Sequence, residues 1–290
     1  MIMKLLIFGA GVIGSLYAAL LSEAGHDVSL YARGKRLKSL QERGLCYRKS
    51  GKIVKADVRV QPVLDTYGRY DFILLAVREN QLSAALEELK GCSSGTIVTM
   101  VNALDSYDRW EAICGTGRIL PAFPGAGGGF DGDVLDAGLT PRIIQPTTIG
   151  RTDGREKTLA AVFRKAKIPC QIVEDMHAWQ ICHLAMVVPI ADAYYESADP
   201  KNAGKDPALM KKTAFRIRRN LLLIADTGMK LVPVKMHLFR ILPVPVLAAV
   251  LGIVFRSSFG YRFMYQHAVK APDEMQRLHG KLYDYIRRPS

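Results

Sequence analysis

Apolar and polar positions along this chain fall into two regimes that meet near residue 172. Lys4–Phe8 is an almost unbroken apolar run, as expected of a strand buried on both faces. Runs at Asp27–Tyr31, 70–77 and 95–101 repeat that signal, and 118–121, 142–149 and 169–173 repeat it more weakly. Between them, residues 15–24, 35–43, 81–89 and 158–167 space their apolar positions at helical period, while 45–47 and 53–60 alternate as two short strands around the Ser50-Gly51 turn. Strands alternating with helices predict an α/β domain with a parallel, doubly wound sheet. In such a sheet, ligands sit at the carboxyl ends of the strands.

From about residue 174 the period is helical throughout. Residues 175–195 predict one long helix with Pro189 inside it, 208–227 a second that stops at Gly228, and 261–268 and 272–287 two more. Residues 241–255 carry no charge and are bounded by Arg240 and Arg256. That run is short for a membrane span and contains Pro243 and Pro245, so a buried or subunit-interface helix is expected. The pattern therefore predicts two domains, 1–172 with the sheet and 173–290 all helical. No integral membrane span is expected.

Composition narrows the classes. Five scattered cysteines without a C-x-x-C pair argue against structural zinc or a disulfide framework, and no metal site is expected. The chain opens on a strand rather than a cleavable leader, which makes the cytoplasm the expected compartment. A net charge of +13 favours anionic ligands. No zinc finger, aromatic RNP strand or helix-turn-helix signal accompanies that charge, so nucleic acid is not an expected partner. Seven of the cations fall at Lys201, Lys205, Lys211, Lys212, Arg216, Arg218 and Arg219. They form either a solvated helix face or, together with 241–255, a surface for docking on a membrane.

The first strand runs directly into Gly9-Ala10-Gly11-Val12-Ile13-Gly14, and a helix and second strand follow. A G-x-G-x-x-G in that setting is the dinucleotide-binding signature. Gly9 serves the tight turn, Gly11 the approach of a pyrophosphate, and Gly14 close packing of helix on strand, with the N–H groups from Val12 and Ile13 onward facing the phosphates. NAD sites usually carry an acidic residue at the end of the second strand. Here that place reads Ala32-Arg33-Gly34-Lys35-Arg36, where Arg33 and Arg36 suit a 2′-phosphate, and NADP(H) is the expected cofactor.

Taken together these motifs resemble the ketopantoate reductase (2-dehydropantoate 2-reductase) family. The resemblance rests on the glycine turn, the basic Ala32-Arg33-Gly34, the strand through Val77 that leads to Arg78 and Gln81, and Asn102 after the next strand. It covers residues 1 to about 172 well and the helical half in outline. It implies a Rossmann-type NADPH-binding domain, a helical second domain and an interdomain cleft where hydride passes to a small anionic 2-oxo acid. It also implies that Val77, Asn102 and the backbone at Ala126 lie beside the cofactor. The helical half departs from the family pattern, in which a Trp-x-Lys is followed by two Asn at four-residue steps. Trp179 is present, but Ile181, Ala185 and Pro189 occupy those three positions.

Ketopantoate is therefore not the expected substrate, and the proton donor must be sought elsewhere. His183 is the main candidate, with His177 weaker, and the alternative for each is a structural histidine. Arg78 could clamp a carboxylate but cannot readily give up a proton. Asn102 could orient nicotinamide, and 125–129 could hug a cofactor or form a flexible loop. Asp273 and Glu274 could face the cleft or solvent. The expected function is an NADPH-dependent reductase of a small carbonyl acid. The alternative is a non-catalytic NADP(H)-binding protein, and a homodimer is left open.

Overall fold

The computed structural model describes residues 1–93 and 95–287. They form two compact units, residues 1–176 and 177–287. The first begins β1 (Lys4–Phe8), α1 (Val12–Glu23), β2 (Asp27–Tyr31), α2 (Gly34–Arg43), β3 (Leu45–Lys49), β4 (Lys52–Ala56), β5 (Arg59–Gln61) and β6 (Phe72–Leu75). It continues α3 (Leu82–Lys90), β7 (Thr96–Met100), α4 (Tyr107–Cys114), β8 (Ile119–Phe123), β9 (Ala126–Asp131), β10 (Val134–Leu139), β11 (Thr147–Gly150), α5 (Arg155–Lys165) and β12 (Cys170–Val173).

An eight-stranded sheet in the order β12-β11-β8-β7-β6-β1-β2-β5 holds the unit together. Its central strands feed two cores at once because strand side chains alternate between faces. Leu5 and Ile7 of β1, Phe72 and Leu74 of β6, and Val98 of β7 enter one core with α1 and α5. Leu6 and Phe8, Ile73 and Leu75, and Ile97 enter the other with α3 and α4. Coverage on both faces is what the unbroken apolar runs required. A four-stranded sheet, β4-β3-β10-β9, packs against α1 on the side away from the main sheet.

Three features differ from the sequence expectation. The run 53–60 is two strands in two sheets: Lys52–Ala56 pairs with β3, and Arg59–Gln61 adds to β2. Its alternation was compatible with either pairing, and the chain crosses at Asp57, whose carbonyl accepts a hydrogen bond from Ser22. The main sheet is not wholly parallel, since β11 runs antiparallel to β8. The glycine-rich 125–129 segment is not a loop: Ala126–Asp131 pairs along β10. Glycine is needed there for packing, because a Cβ on Gly128 would lie 2.4 Å from the Asp136 carbonyl oxygen and its φ is +142°. The helix α4 and the strand β10 carried no clear periodic signal.

The second unit contains α6 (Met176–Glu196, which begins one residue before it), α7 (Pro207–Asp226), α8 (Lys235–Ile241), α9 (Val244–Arg256), α10 (Gln266–Lys270) and α11 (Pro272–Arg287). Asp206 caps α7 by accepting from the Ala208 and Leu209 N–H groups, and Pro207 fits the first turn. Pro189 lies inside α6 and has no N–H to give the carbonyl four residues earlier, that of Ala185. Asn220 of α7, fully buried, donates to that carbonyl at 3.3 Å, so a side chain replaces the missing backbone bond.

Replacing Asn220 by Ala should leave the Ala185 carbonyl buried and unsatisfied, at a cost of about 1–3 kcal/mol. Urea unfolding of the full chain followed by circular dichroism checks this. An Asn220→Ala protein as stable as the parent would remove the helix-joint role.

Candidate functional site

Strands β2, β1, β6 and β7 are neighbours and all parallel, so their carboxyl ends lie in a row along one sheet edge. That row carries Arg33, Gly9, Val77-Arg78 and Asn102 in spatial order. Four adjacent strands span roughly 14 Å at the ordinary sheet spacing. The chain leaves β1 toward β2 and later returns to β6 on its other side, which makes the β1 edge the crossover point where doubly wound sheets bind ligands.

The glycine turn is built as its three positions require. Gly9 has φ +107°, and a Cβ there would meet the Ala76 carbonyl oxygen at 2.5 Å and Val77 at 3.2 Å. A Cβ on Gly14 would fall 1.9 Å from the Gly9 carbonyl oxygen. Gly11 differs: a Cβ there meets nothing within 4 Å. It is also the N-cap of α1, with no side-chain cap, so the first N–H groups of the helix, at Val12 and Ile13, open on that space. An approachable backbone with exposed N–H groups suits a pyrophosphate. At the far end of the row, the Oδ1 atom of Asn102 is buried without a hydrogen-bond partner, an acceptor that a ligand amide or hydroxyl would satisfy.

The two arginines after β2 have separate roles. Arg36 donates from Nε to the Ala10 carbonyl at 3.3 Å and from Nη2 to Ser15 Oγ at 3.4 Å, and its guanidinium lies 4.3 Å from the Phe130 ring centroid. It thus fastens α2 to the glycine turn. Arg33 stays exposed at the strand end, its Nη1 3.2 Å from a Glu88 carboxylate oxygen and its guanidinium over the Tyr31 ring. Glu88, on α3, also accepts from the Tyr31 hydroxyl. Burial, with the Glu88 carboxylate added, pushes the Tyr31 hydroxyl up to about 12. So a carboxylate does stand beside the β2 end, and the sequence reading missed it. Glu88 is 55 residues from Arg33 and reads locally as one polar position of an amphipathic helix.

The remaining sequence candidates are placed as follows. Arg78 is exposed at the end of β6, and its N–H donates to the Gln81 side chain at 3.3 Å. Ala126 opens β9 and pairs with Leu139. His177 lies edge-on to Tyr285. Asp273 is exposed and Glu274 buried in the first turn of α11. Ile181 and Ala185 are completely buried on α6.

His183 does not titrate near neutrality as its residue type had suggested. It is buried, stacked 5.0 Å from the Trp179 ring at 9° between planes, and desolvation pushes its pKa down to about 3, with the charges of His267 and Lys235 adding to the shift. At neutral pH it is an uncharged ring, without the imidazolium proton a general acid would deliver.

Comparison with known proteins is consistent with this geometry. Residues 5–134 match the ketopantoate reductase PanE/ApbA family. A 2-dehydropantoate 2-reductase from Mesorhizobium japonicum is 33% identical over 138 residues, 47% of this chain and 38% of that protein. One from Pyrococcus abyssi is 29% identical over 190 residues, covering 61% of this chain and 58% of the relative. The chain thus aligns with between two-fifths and three-fifths of the length of these relatives. Among solved structures, D-mandelate dehydrogenase in complex with NADH superposes with a TM-score of 0.64 at 19% identity, over 98% of this chain and 96% of that one. At that identity the likeness concerns the fold.

The buried His183 sets a pH dependence. Its pKa falls from about 6.5 unfolded to about 3 folded. The unfolded chain therefore takes up the proton first, and stability is full above pH 6.5 and lost as the pH drops toward 3. Between pH 7 and pH 5 the loss should be about 2 kcal/mol. Thermal unfolding at both pH values, compared between the parent and His183→Gln, should show the larger drop in the parent. Equal drops would place the histidine in water.

Proposed function

Proceeding from a chain whose residues 5–134 carry the ketopantoate reductase pattern, we propose an oxidoreductase that uses NADPH to reduce a small anionic 2-oxo acid or related carbonyl. The observation that carries this reading is the row of parallel strand ends, with an open Gly11, uncapped helix N–H groups and the unpartnered Asn102 oxygen. The residues suit the cofactor: the turn from Gly9 to Gly14 would take the pyrophosphate, Val77 would flank it, and Arg33 would take a 2′-phosphate. When bound, a reduced nicotinamide supplies hydride.

Within this reading the buried Oδ1 of Asn102 accepts a hydrogen bond from the nicotinamide carboxamide or a substrate hydroxyl, and Arg78 offers a guanidinium to the substrate carboxylate. Ala126 would bring backbone to the ribose. With the His183 pKa pushed well down by burial, the proton for the reduced oxygen would come from water rather than from that ring. The apolar positions 181 and 185 separate this substrate from ketopantoate. The NADH-bound D-mandelate dehydrogenase of the same fold supports a nicotinamide cofactor in general. The choice of the phosphorylated form rests on Arg33.

Glu88 tempers that choice, since its charge opposes a 2′-phosphate while it steers Arg33. Arg33→Ala should therefore weaken NADPH by roughly tenfold or more and leave NADH nearly unchanged. Glu88→Gln should tighten NADPH a few-fold, on the scale of a partly exposed ion pair. Calorimetric titration with each dinucleotide checks both, and equal losses for the two cofactors on Arg33→Ala would overturn the assignment. Loss of NADPH absorbance with at least one member of a 2-oxo acid panel is expected. Tight NADPH binding with no turnover of any member would leave a binding protein in place of a reductase.

A further inference from the structure

The helix α9 has an outer face that its own sequence does not explain. Leu247, Ala248, Leu251, Gly252 and Phe255 turn inward and are buried. The opposite face, which a water-facing helix makes polar, carries Val246, Ala249, Val250 and Ile253, all exposed and spaced at i, i+3, i+4 and i+7. Ile253 is 62% exposed. The helix α8, joined to α9 by two residues, adds Leu238 and Ile241, the latter 64% exposed. The helix α7 packs against both and adds Phe215 and Leu222. Thirteen residues of α9 make a ridge about 20 Å long.

The charge in the stretch of chain that carries this ridge is of one sign. From Thr227 to Lys270 the chain contains Lys230, Lys235, Arg240, Arg256, Arg262 and Lys270, and not one Asp or Glu. On α7 the cations nearest α6 behave differently: Lys212 and Arg216 pair with Glu196 at 2.9 and 2.7 Å. Arg218 instead reaches the end of α8, donating to the Arg240 carbonyl. After α9 the chain turns by 84° into the next helical segment, and no single helix among the described residues is long and apolar enough to cross a membrane.

An apolar ridge carried by a stretch of chain that holds cations and no carboxylates selects its occupant by charge. A second copy would bring an identical cationic stretch against this one, and like charges across an interface cost affinity. Nucleic acid would match the charge but not the exposed valines and isoleucines. We propose that this face of the helical unit docks on an anionic phospholipid surface. The side chains of Val246, Val250, Ile253 and Ile241 enter the headgroup–acyl boundary, and Arg240, Arg256 and Arg262 meet lipid phosphates and carboxylates. The enzyme would then be a peripheral, salt-reversible membrane protein.

Co-sedimentation of the full-length protein with phosphatidylcholine vesicles, with and without phosphatidylserine, tests this. Binding is expected to the phosphatidylserine vesicles, with release by raised salt. Val250→Glu combined with Ile253→Glu alters exposed positions only, so its circular dichroism melt should match the parent, and its partition should fall roughly tenfold or more. Absent binding to anionic vesicles, or equal binding to both compositions, would overturn the proposal. So would an unchanged partition of the double variant. If that variant instead converts a dimer to a monomer in sedimentation equilibrium and the parent ignores vesicles, a second copy covers the ridge.

Discussion

The first unit depends on a contact in which no side chain can stand. The end of β1 and the start of α1 approach so closely that a Cβ on Gly14 would lie 1.9 Å from the Gly9 carbonyl oxygen, and one on Gly9 would strike the Ala76 carbonyl. Those two glycines let helix, first strand and sixth strand close on one another. The same turn leaves Gly11 facing open space at an uncapped helix N-terminus. Tight packing behind the turn thus produces an accessible backbone in front of it. The parallel neighbours β2, β6 and β7 then set Arg33, Val77, Arg78 and Asn102 along the same edge.

Much of this was legible in the sequence because the signals are local. The run Lys4–Phe8, the six-residue glycine pattern and the next strand lie within thirty-one residues, and each piece constrains the next. Double burial of the central strands also shows in single-residue patterning. What the sequence hid is non-local. Nothing near residue 60 says that one alternating run divides between two sheets, and nothing near Gly128 says that it approaches Asp136 across a hairpin. Glu88 reaches the end of β2 only through the crossover that places α3 there, so the basic cluster read as free of carboxylates. The His183 environment was hidden for a related reason: its residue type suggests titration near neutrality, while burial beside Trp179 lowers its pKa.

The helical unit shows how a neighbouring helix accommodates a proline inside a helix. Where the related pattern has two asparagines, this chain has Ala185 and Pro189, and they work as a pair. The proline frees the Ala185 carbonyl, and Asn220 from α7 takes it up, which joins the two helices. Ile181 is fully buried on the same helix. The stretch from Thr227 to Lys270, which holds α9 and its exposed ridge, carries six Lys and Arg residues and no Asp or Glu.

The central claim is that the space in front of Gly11 belongs to a dinucleotide pyrophosphate. Gly11→Val tests that claim, because its φ of −72° is an ordinary one for any residue and a Cβ there meets nothing within 4 Å. Titration of NADPH by its fluorescence into the parent and Gly11→Val proteins, with matched thermal melts, measures it directly. The expected result is a melt lowered only slightly, by the poorer N-cap, and NADPH affinity reduced by roughly a hundredfold, the scale of a steric clash of a few kcal/mol. Equal affinity in the two folded proteins would contradict it.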